Sequence, residues 1–426
     1  MRVIVSPSKI SGSILAPSSK SSMQRACAAA LLHKGTTVIY NPGISNDDKA
    51  ALQIINSLGA KTLVADQKIV VESKGFSSIS KISEEKISCG ESGLSVRMFA
   101  PIVALCAQEI ELSGIGSLLK RPMNFFDDVF PHLEIAIESN NGLLPLKIKG
   151  PLIPNNITID GSLSSQYLTG LLFAFGEAAV GEVTIHVKEL KSGPYVDLTL
   201  DVMQRFGFNI INSNYEYFII NQKTETENLI EYTVEGDWSS ASFLLVAGAI
   251  AGSVKVIGLD ENSTQADKSI LNALQDCGAA INKKDSEISI SKAELKSFEF
   301  DATDCPDLFP PLAVLAAYCK GTTIIKGTHR LKAKESDRAE TLKDIFSKMG
   351  IKILLKDDEM HITGDKVNPA AVSSHHDHRI AMAAAIAALG AIGSIEIENA
   401  DAINKSYPQF YEHLRKLGSD INVINE

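Results

Sequence analysis

Residues 26–40 read ACAAALLHKGTTVIY: a run of Ala and Leu, then His-Lys-Gly, then Thr-Thr-Val-Ile-Tyr. An uncharged run of small apolar residues is a helix covered on every side. β-Branched and aromatic residues after a glycine open a strand. Just upstream, residues 16–25 read APSSKSSMQR, so the helix begins among four serines, Lys20 and Arg25. One serine is enough to cap a helix. Several hydroxyls with two cations suit an anionic ligand.

The same figure, apolar helix then glycine then β-branched strand, returns along the chain. It appears as FAPIVALCAQEIELSG (99–114), LTGLLFAFGEAAVGEVTIHV (168–187) and ASFLLVAGAIAGSVKVIG (241–258). It appears again as PLAVLAAYCKGTTIIKG (311–327) and IAMAAAIAALGAIGSIEIE (380–398). With Lys20, Ser95, Gln166, Trp238, Asp307 and Arg379 as equivalent helix starts, the spacings are 75, 71, 72, 69 and 72 residues. Six units of roughly 71 residues fill the 426-residue chain. Each unit also holds a more polar second helix ending in Gly, as in AALQIINSLGAKTLV (50–64) and ETLKDIFSKMGIKIL (340–354). Gly there fits the left-handed C-cap. Each unit therefore reads as βαβαββ, which makes the fold class α/β.

At 426 residues, with 45 % apolar and 22 % charged side chains, two folded domains are expected. A net charge of −10 excludes a general nucleic-acid binder, though not a local cationic site for small anions. Six cysteines without a CxxC pair suit a reducing compartment. The opening MRVIVSPSKISG reads as a strand and not as a signal segment, and the Ala-rich run Ile380 to Gly393 is too short to span a bilayer. These readings predict a cytoplasmic protein with neither nucleic-acid nor membrane partners.

Chemistry gathers at the helix starts. First helices open at Ser19-Lys20-Ser21, Glu91-Ser92-Gly93, Ser164-Ser165-Gln166, Asp237-Trp238-Ser239, Pro306-Asp307 and Asp377-His378-Arg379. Second helices open near Asp47-Asp48, Arg121-Pro122, Ser192-Gly193-Pro194-Tyr195, Asp267-Lys268, the run Lys334 to Arg338, and Lys405-Ser406-Tyr407. Helix N-termini attract phosphate and carboxylate. With Lys20, Arg25, Arg97, Arg121, Lys334, Arg338, Arg379 and Lys405 among them, the pattern predicts one or two strongly anionic small molecules. The run His375-His376-Asp377-His378 invites a metal reading, but consecutive residues do not easily aim three rings at one ion. No Walker loop and no dinucleotide fingerprint is present.

Pro-Ser-Ser-Lys-Ser with Arg25, Gly-Glu-Ser-Gly with Arg97, Lys-Arg-Pro-Met, Ser-Ser-Gln-Tyr, Ser-Gly-Pro-Tyr, Pro-Asp, Lys-Glu-Ser-Asp-Arg, Asp-His-Arg and Lys405 follow in order over the whole chain. On these motifs it resembles the enolpyruvyl transferases, and among them the branch whose acceptor is shikimate 3-phosphate. The resemblance implies two domains of three βαβαββ units, residues 18–233 and residues 1–17 with 234–426, closing on ligands held in the cleft between them. It implies carboxyvinyl transfer from phosphoenolpyruvate to the 5-hydroxyl of shikimate 3-phosphate, with loss of phosphate, a step toward chorismate and the aromatic amino acids. It implies no cofactor, no metal and a monomer.

Residue by residue, the resemblance puts Ser21 and Arg25 on the shikimate carboxylate. It puts Ser164, Ser165 and Ser192 on the phosphate, and Lys334 between phosphate and ring hydroxyl. Tyr195 lies against the ring and Gln166 reaches between the substrates. Arg121, Arg338, Arg379 and Lys405, with Lys20 and the backbone at Gly93, clamp phosphoenolpyruvate. Asp307 is the base on the 5-hydroxyl and Glu335 the donor to the methylene carbon, while Lys20 or Lys405 protonates the leaving phosphate. Glu91 stands where the family often has Asn, and Leu94 where it has a small hydroxyl residue. The sister branch acting on UDP-N-acetylglucosamine carries a cysteine in the loop before its Arg-Pro pair, and residues 113–121 have none.

Overall fold

A computed structural model describes residues 1–75 and 84–424. The described strands form six four-stranded sheets of one topology. In each, an edge strand runs parallel to its neighbour and the next two are antiparallel, as in Ile157–Asp160, Val183–Lys188, Tyr217–Asn221 and Asn209–Ser213. This is the βαβαββ order expected from the repeat. The chain divides into two compact units, Ser18–Val234 and Met1–Pro17 with Glu235–Glu426.

The sheets are not all built from consecutive chain, as six self-contained units would require. In the Ser18–Val234 unit, Leu229–Thr233 returns to lie parallel to Lys34–Tyr40 as the first strand of its first sheet. In the other unit, Ile10–Leu15 pairs in parallel with Gly252–Ile257. Arg2–Val5 is inserted between Ile395–Glu398 and Ile421–Ile424, antiparallel to both. Val3 and Val5, both fully buried, face Ile397 and Ile395 across that ladder. Each such side chain contributes roughly 1.5–3 kcal/mol of apolar burial.

The first helices form the centre of each unit. Trp238–Ala251, Phe309–Ala317 and His378–Leu389 pack on one another, and every residue of all three is buried. In the other unit Gly93–Val103 lies against Ser165–Ala178, with Lys20–Leu32 beside both. Gly170 makes the close helix pair possible, because a β-carbon there would sit 2.5 Å from the Arg97 carbonyl oxygen. Helices apolar all round can only be stable when enclosed by sheets and amphipathic partners. Their polar ends, by contrast, must find partners or ligands.

Candidate active site

In the Ser18–Val234 unit, helix Lys20–Leu32 is capped by Ser19, whose hydroxyl accepts the Ser22 amide. Lys20 and Arg25 are therefore not needed for the cap. Lys20 Nζ pairs with Asp47 Oδ2 at 2.9 Å, at the start of helix Asn46–Ser57. The Arg25 guanidinium is almost fully buried. It donates to Thr199 Oγ1 (2.9 Å), to the Ser21 carbonyl (2.8 Å) and to the Tyr195 carbonyl (3.2 Å). Arg25, Ser21 and Tyr195 are thus brought together, with backbone carbonyls as the links. Thr199, which also bonds Thr169 at 2.9 Å, completes that cradle.

Gln166 receives Arg97 Nη1 at 3.0 Å, and Arg97 lies over the Tyr167 ring at 5.1 Å. Ser164 caps helix Ser165–Ala178 by accepting the Gln166 amide. Ser192 stands at the start of Gly193–Arg205 in the left-handed region, φ 58°, with no capping bond from its side chain. Gly93 is the first residue of its helix, and a β-carbon there would come within 2.3 Å of Arg121 Nη1. That puts a guanidinium against a helix N-terminus, where the two positive ends add rather than cancel. An anion relieves that arrangement. Glu91 accepts from Ser117 Oγ at 3.3 Å.

The other unit concentrates charge around Asp307. Its Oδ1 accepts Arg338 Nη1 at 2.7 Å and Lys334 Nζ at 3.4 Å, and its Oδ2 accepts Arg379 Nη2 at 3.0 Å. Burial alone would raise its pKa, but Arg379, Lys334 and Arg338 together hold it well below the usual carboxylate range. Glu335 accepts Arg338 Nη2 at 2.5 Å and lies 3.7 Å from Lys405 Nζ. Lys334 is driven the other way: burial lowers its pKa to about 8, and Asp307 offsets only part of that. Asp307, Lys334, Glu335, Arg338, Arg379 and Lys405 form one cluster, so two carboxylates and four cations share a single small volume.

Three expectations about local structure change. Asp307 caps nothing; it lies in the 3₁₀ turn Pro306–Leu308, and the helix proper begins at Phe309. Lys405 ends the 3₁₀ turn Ala400–Lys405, five residues before helix Phe410–Lys416, so it is not at a helix N-terminus. Likewise Arg121 follows the turn Gly116–Lys120, ahead of helix Asn124–Val129. In each case the charged side chain is carried by a turn.

Sequence reasoning left three carboxylates as mere helix starts. Asp47 holds Lys20. Asp377 caps His378–Leu389 and also takes Arg338 Nε at 2.8 Å. Asp267 is fully buried, hydrogen-bonded by the Ser239 hydroxyl, and burial with the nearby Asp307 raises its pKa to about 6. A usable signal was available: an acidic residue at a helix start in a chain whose cations cluster at other helix starts. His375 and His376 are exposed on left-handed backbone while His378 is buried. Among the described residues no group of three or more potential ligands gathers for a metal.

The family model for EPSP synthase (3-phosphoshikimate 1-carboxyvinyltransferase) matches residues 4–414. The 3-phosphoshikimate 1-carboxyvinyltransferase of Clostridium kluyveri is 35 % identical over 425 residues, covering 99 % of this chain and 98 % of that one. The corresponding protein of Clostridium perfringens is 37 % identical over 422 residues, covering 98 % of each. The solved EPSP synthase of Acinetobacter baumannii superposes with a TM-score of 0.83 at 24 % identity, covering 99 % of this chain and 100 % of that one. This last likeness speaks for the fold.

Proposed function

The chain belongs to the EPSP synthase (3-phosphoshikimate 1-carboxyvinyltransferase) family, and we propose that its two cation-rich clusters act together on one pair of substrates. The reaction is transfer of the carboxyvinyl group of phosphoenolpyruvate to the 5-hydroxyl of shikimate 3-phosphate, releasing phosphate, in aromatic amino-acid biosynthesis. Both substrates are polyanions, which accounts for the cations that capping and packing do not require.

In this reading Ser21 and Arg25 take the shikimate carboxylate. Ser164, Ser165 and Ser192 take its phosphate, with Gln166, Tyr195 and Lys334 completing its contacts. Arg121, Arg338, Arg379 and Lys405 clamp phosphoenolpyruvate beside Lys20 and the Gly93 backbone. Guanidinium forks match carboxylate and phosphate two bonds at a time. Asp307 abstracts the 5-hydroxyl proton as the oxygen attacks C2 of phosphoenolpyruvate, and Glu335 delivers a proton to the methylene carbon. The tetrahedral adduct then loses phosphate, protonated from Lys20 or Lys405, as the Glu335 carboxylate left by the first step takes a proton back from the methyl group and the enol ether forms. Neighbouring carboxylates in different charge environments suit such opposite roles.

The observation that carries the reading is the convergence of Arg338, Arg379 and Lys334 on Asp307. It keeps a base ionised among cations that bind anions. We further place the protein in the cytoplasm as a monomer. All six cysteines are free and buried, and no described helix is long and apolar enough to cross a membrane. Phosphate release from phosphoenolpyruvate tests the assignment, with shikimate 3-phosphate and UDP-N-acetylglucosamine as rival acceptors. Turnover with the sugar nucleotide alone would defeat it.

A further inference from the structure

We infer that Asp377 is a positioning residue, whose buried carboxylate orients Arg338 and ties it to the start of the helix carrying Arg379, so that the two guanidiniums serve one anion. The inference rests on the reading above, in which both arginines hold phosphoenolpyruvate.

Asp377 has no exposed surface. Its Oδ2 accepts Arg338 Nε at 2.8 Å and Ser336 Oγ at 3.1 Å. Its Oδ1 accepts Arg338 Nη2 at 3.3 Å and the Arg379 amide at 3.0 Å. A cap would need only the last of these bonds. Two of the others grip Arg338 along its Nε–Nη2 edge, and a two-point contact of that kind fixes the guanidinium plane. That leaves the Nη1–Nη2 end of the fork to other anions.

In this structure Asp307 and Glu335 occupy that end, at 2.7 and 2.5 Å, with 24 % and 10 % of their side chains exposed. They are the more accessible partners, and an incoming carboxylate or phosphate competes with them. Asp377 lies behind, out of solvent, and keeps its edge of Arg338 while the front is exchanged. Displacing the Arg338 contacts also frees Asp307 and Glu335 for proton transfer. The sequence separation is 39 residues between Arg338 and Asp377 and only 2 between Asp377 and Arg379, so one carboxylate registers two segments.

The test is steady-state kinetics of Asp377→Asn and Asp377→Ser, each of which keeps a capping oxygen for the Arg379 amide. Asn turns an N–H donor toward Arg338, and Ser is too short to reach it. Expected is a fall of about tenfold or more in kcat/KM for phosphoenolpyruvate, carried mainly by KM. The KM for shikimate 3-phosphate should stay within about twofold, while the thermal midpoint falls because a buried ion pair has lost one partner. Kinetics for phosphoenolpyruvate like the parent enzyme, equal losses toward both substrates, or failure of both variants to fold would overturn the inference. Arg338→Ala, run alongside, separates the two levels. If it too leaves phosphoenolpyruvate kinetics intact, the assignment of Arg338 falls with the inference. If it is impaired while the Asp377 variants are not, only the role of Asp377 falls.

Discussion

Lys20 and Asp47 form an ion pair 2.9 Å long in which the carboxylate is 4 % exposed and the amine 16 %. The pair joins the starts of two helices, so Asp47 determines where the Lys20 ammonium stands. Breaking a shielded pair leaves one charge uncompensated and free to move. Asp47→Asn is therefore expected to lower kcat/KM toward both substrates by about a hundredfold, the cost of a small misplacement of a catalytic group. Parent-like rates in a folded variant would show that Lys20 is positioned by something else.

Asp307→Asn conserves shape but cannot accept the 5-hydroxyl proton. A positioned general base contributes about 10²–10⁴-fold to rate, and kcat should fall within that range. Shikimate 3-phosphate binding, followed by calorimetry, should persist. Because three cations hold Asp307 ionised, the parent enzyme should show no loss of this base on acidification to pH 4 or so. A variant retaining more than about a tenth of parent kcat would remove Asp307 from the base role.

Lys334 carries the alkaline prediction. In the proposed function its charged form binds the shikimate 3-phosphate, and burial has lowered its pKa to about 8. As pH rises through that value the amine loses its proton, so kcat/KM for shikimate 3-phosphate should fall about tenfold per pH unit above it. Stability moves oppositely. Between about 8 and the ordinary 10.5 the unfolded chain holds a proton that folded Lys334 has lost, so this group's contribution rises with pH. A denaturant series across that range separates lost binding from alkaline unfolding. Lys334→Arg, whose guanidinium stays charged, should flatten the activity limb, and an unchanged limb would exclude Lys334 as its source.

The N-terminal strand bears on folding. Among the described strands Arg2–Val5 alone pairs with Ile421–Ile424, and it separates that strand from Ile395–Glu398. Deleting residues 1–5 removes two fully buried valines, costing about 3–6 kcal/mol in apolar burial alone, and leaves the last strand unpaired. That is a large part of a typical domain's stability. Limited proteolysis should then cut within Glu235–Glu426 while sparing Ser18–Val234. An unchanged digestion pattern and urea midpoint would refute the structural role assigned to this strand.

The repeat and the α/β class were legible because their signals are local. Ala-rich runs such as 26–32 have to be enclosed, glycines such as Gly59 and Gly350 end second helices, and β-branched runs alternate inward and outward, as at Ile288 and Ile290. Lys20, Arg338 and Arg379 were legible too, as cations at buried helix starts that capping does not need, whereas Arg121 and Lys405 lie in turns that no helix signal marks.

What the tertiary structure alone decided is which distant segments complete one another. Arg2–Val5 finishes a sheet whose other members lie nearly four hundred residues away, and no local pattern distinguishes that from pairing with its neighbours. The partners of the cations are non-local as well: Asp47 for Lys20, and Asp307, Glu335 and Asp377 for Arg338. Composition and periodicity specify which side chains must leave water or find a counter-charge. Which carboxylate meets which guanidinium depends on where the folded backbone puts their ends to within an ångström, and only the packed helices and turns determine that.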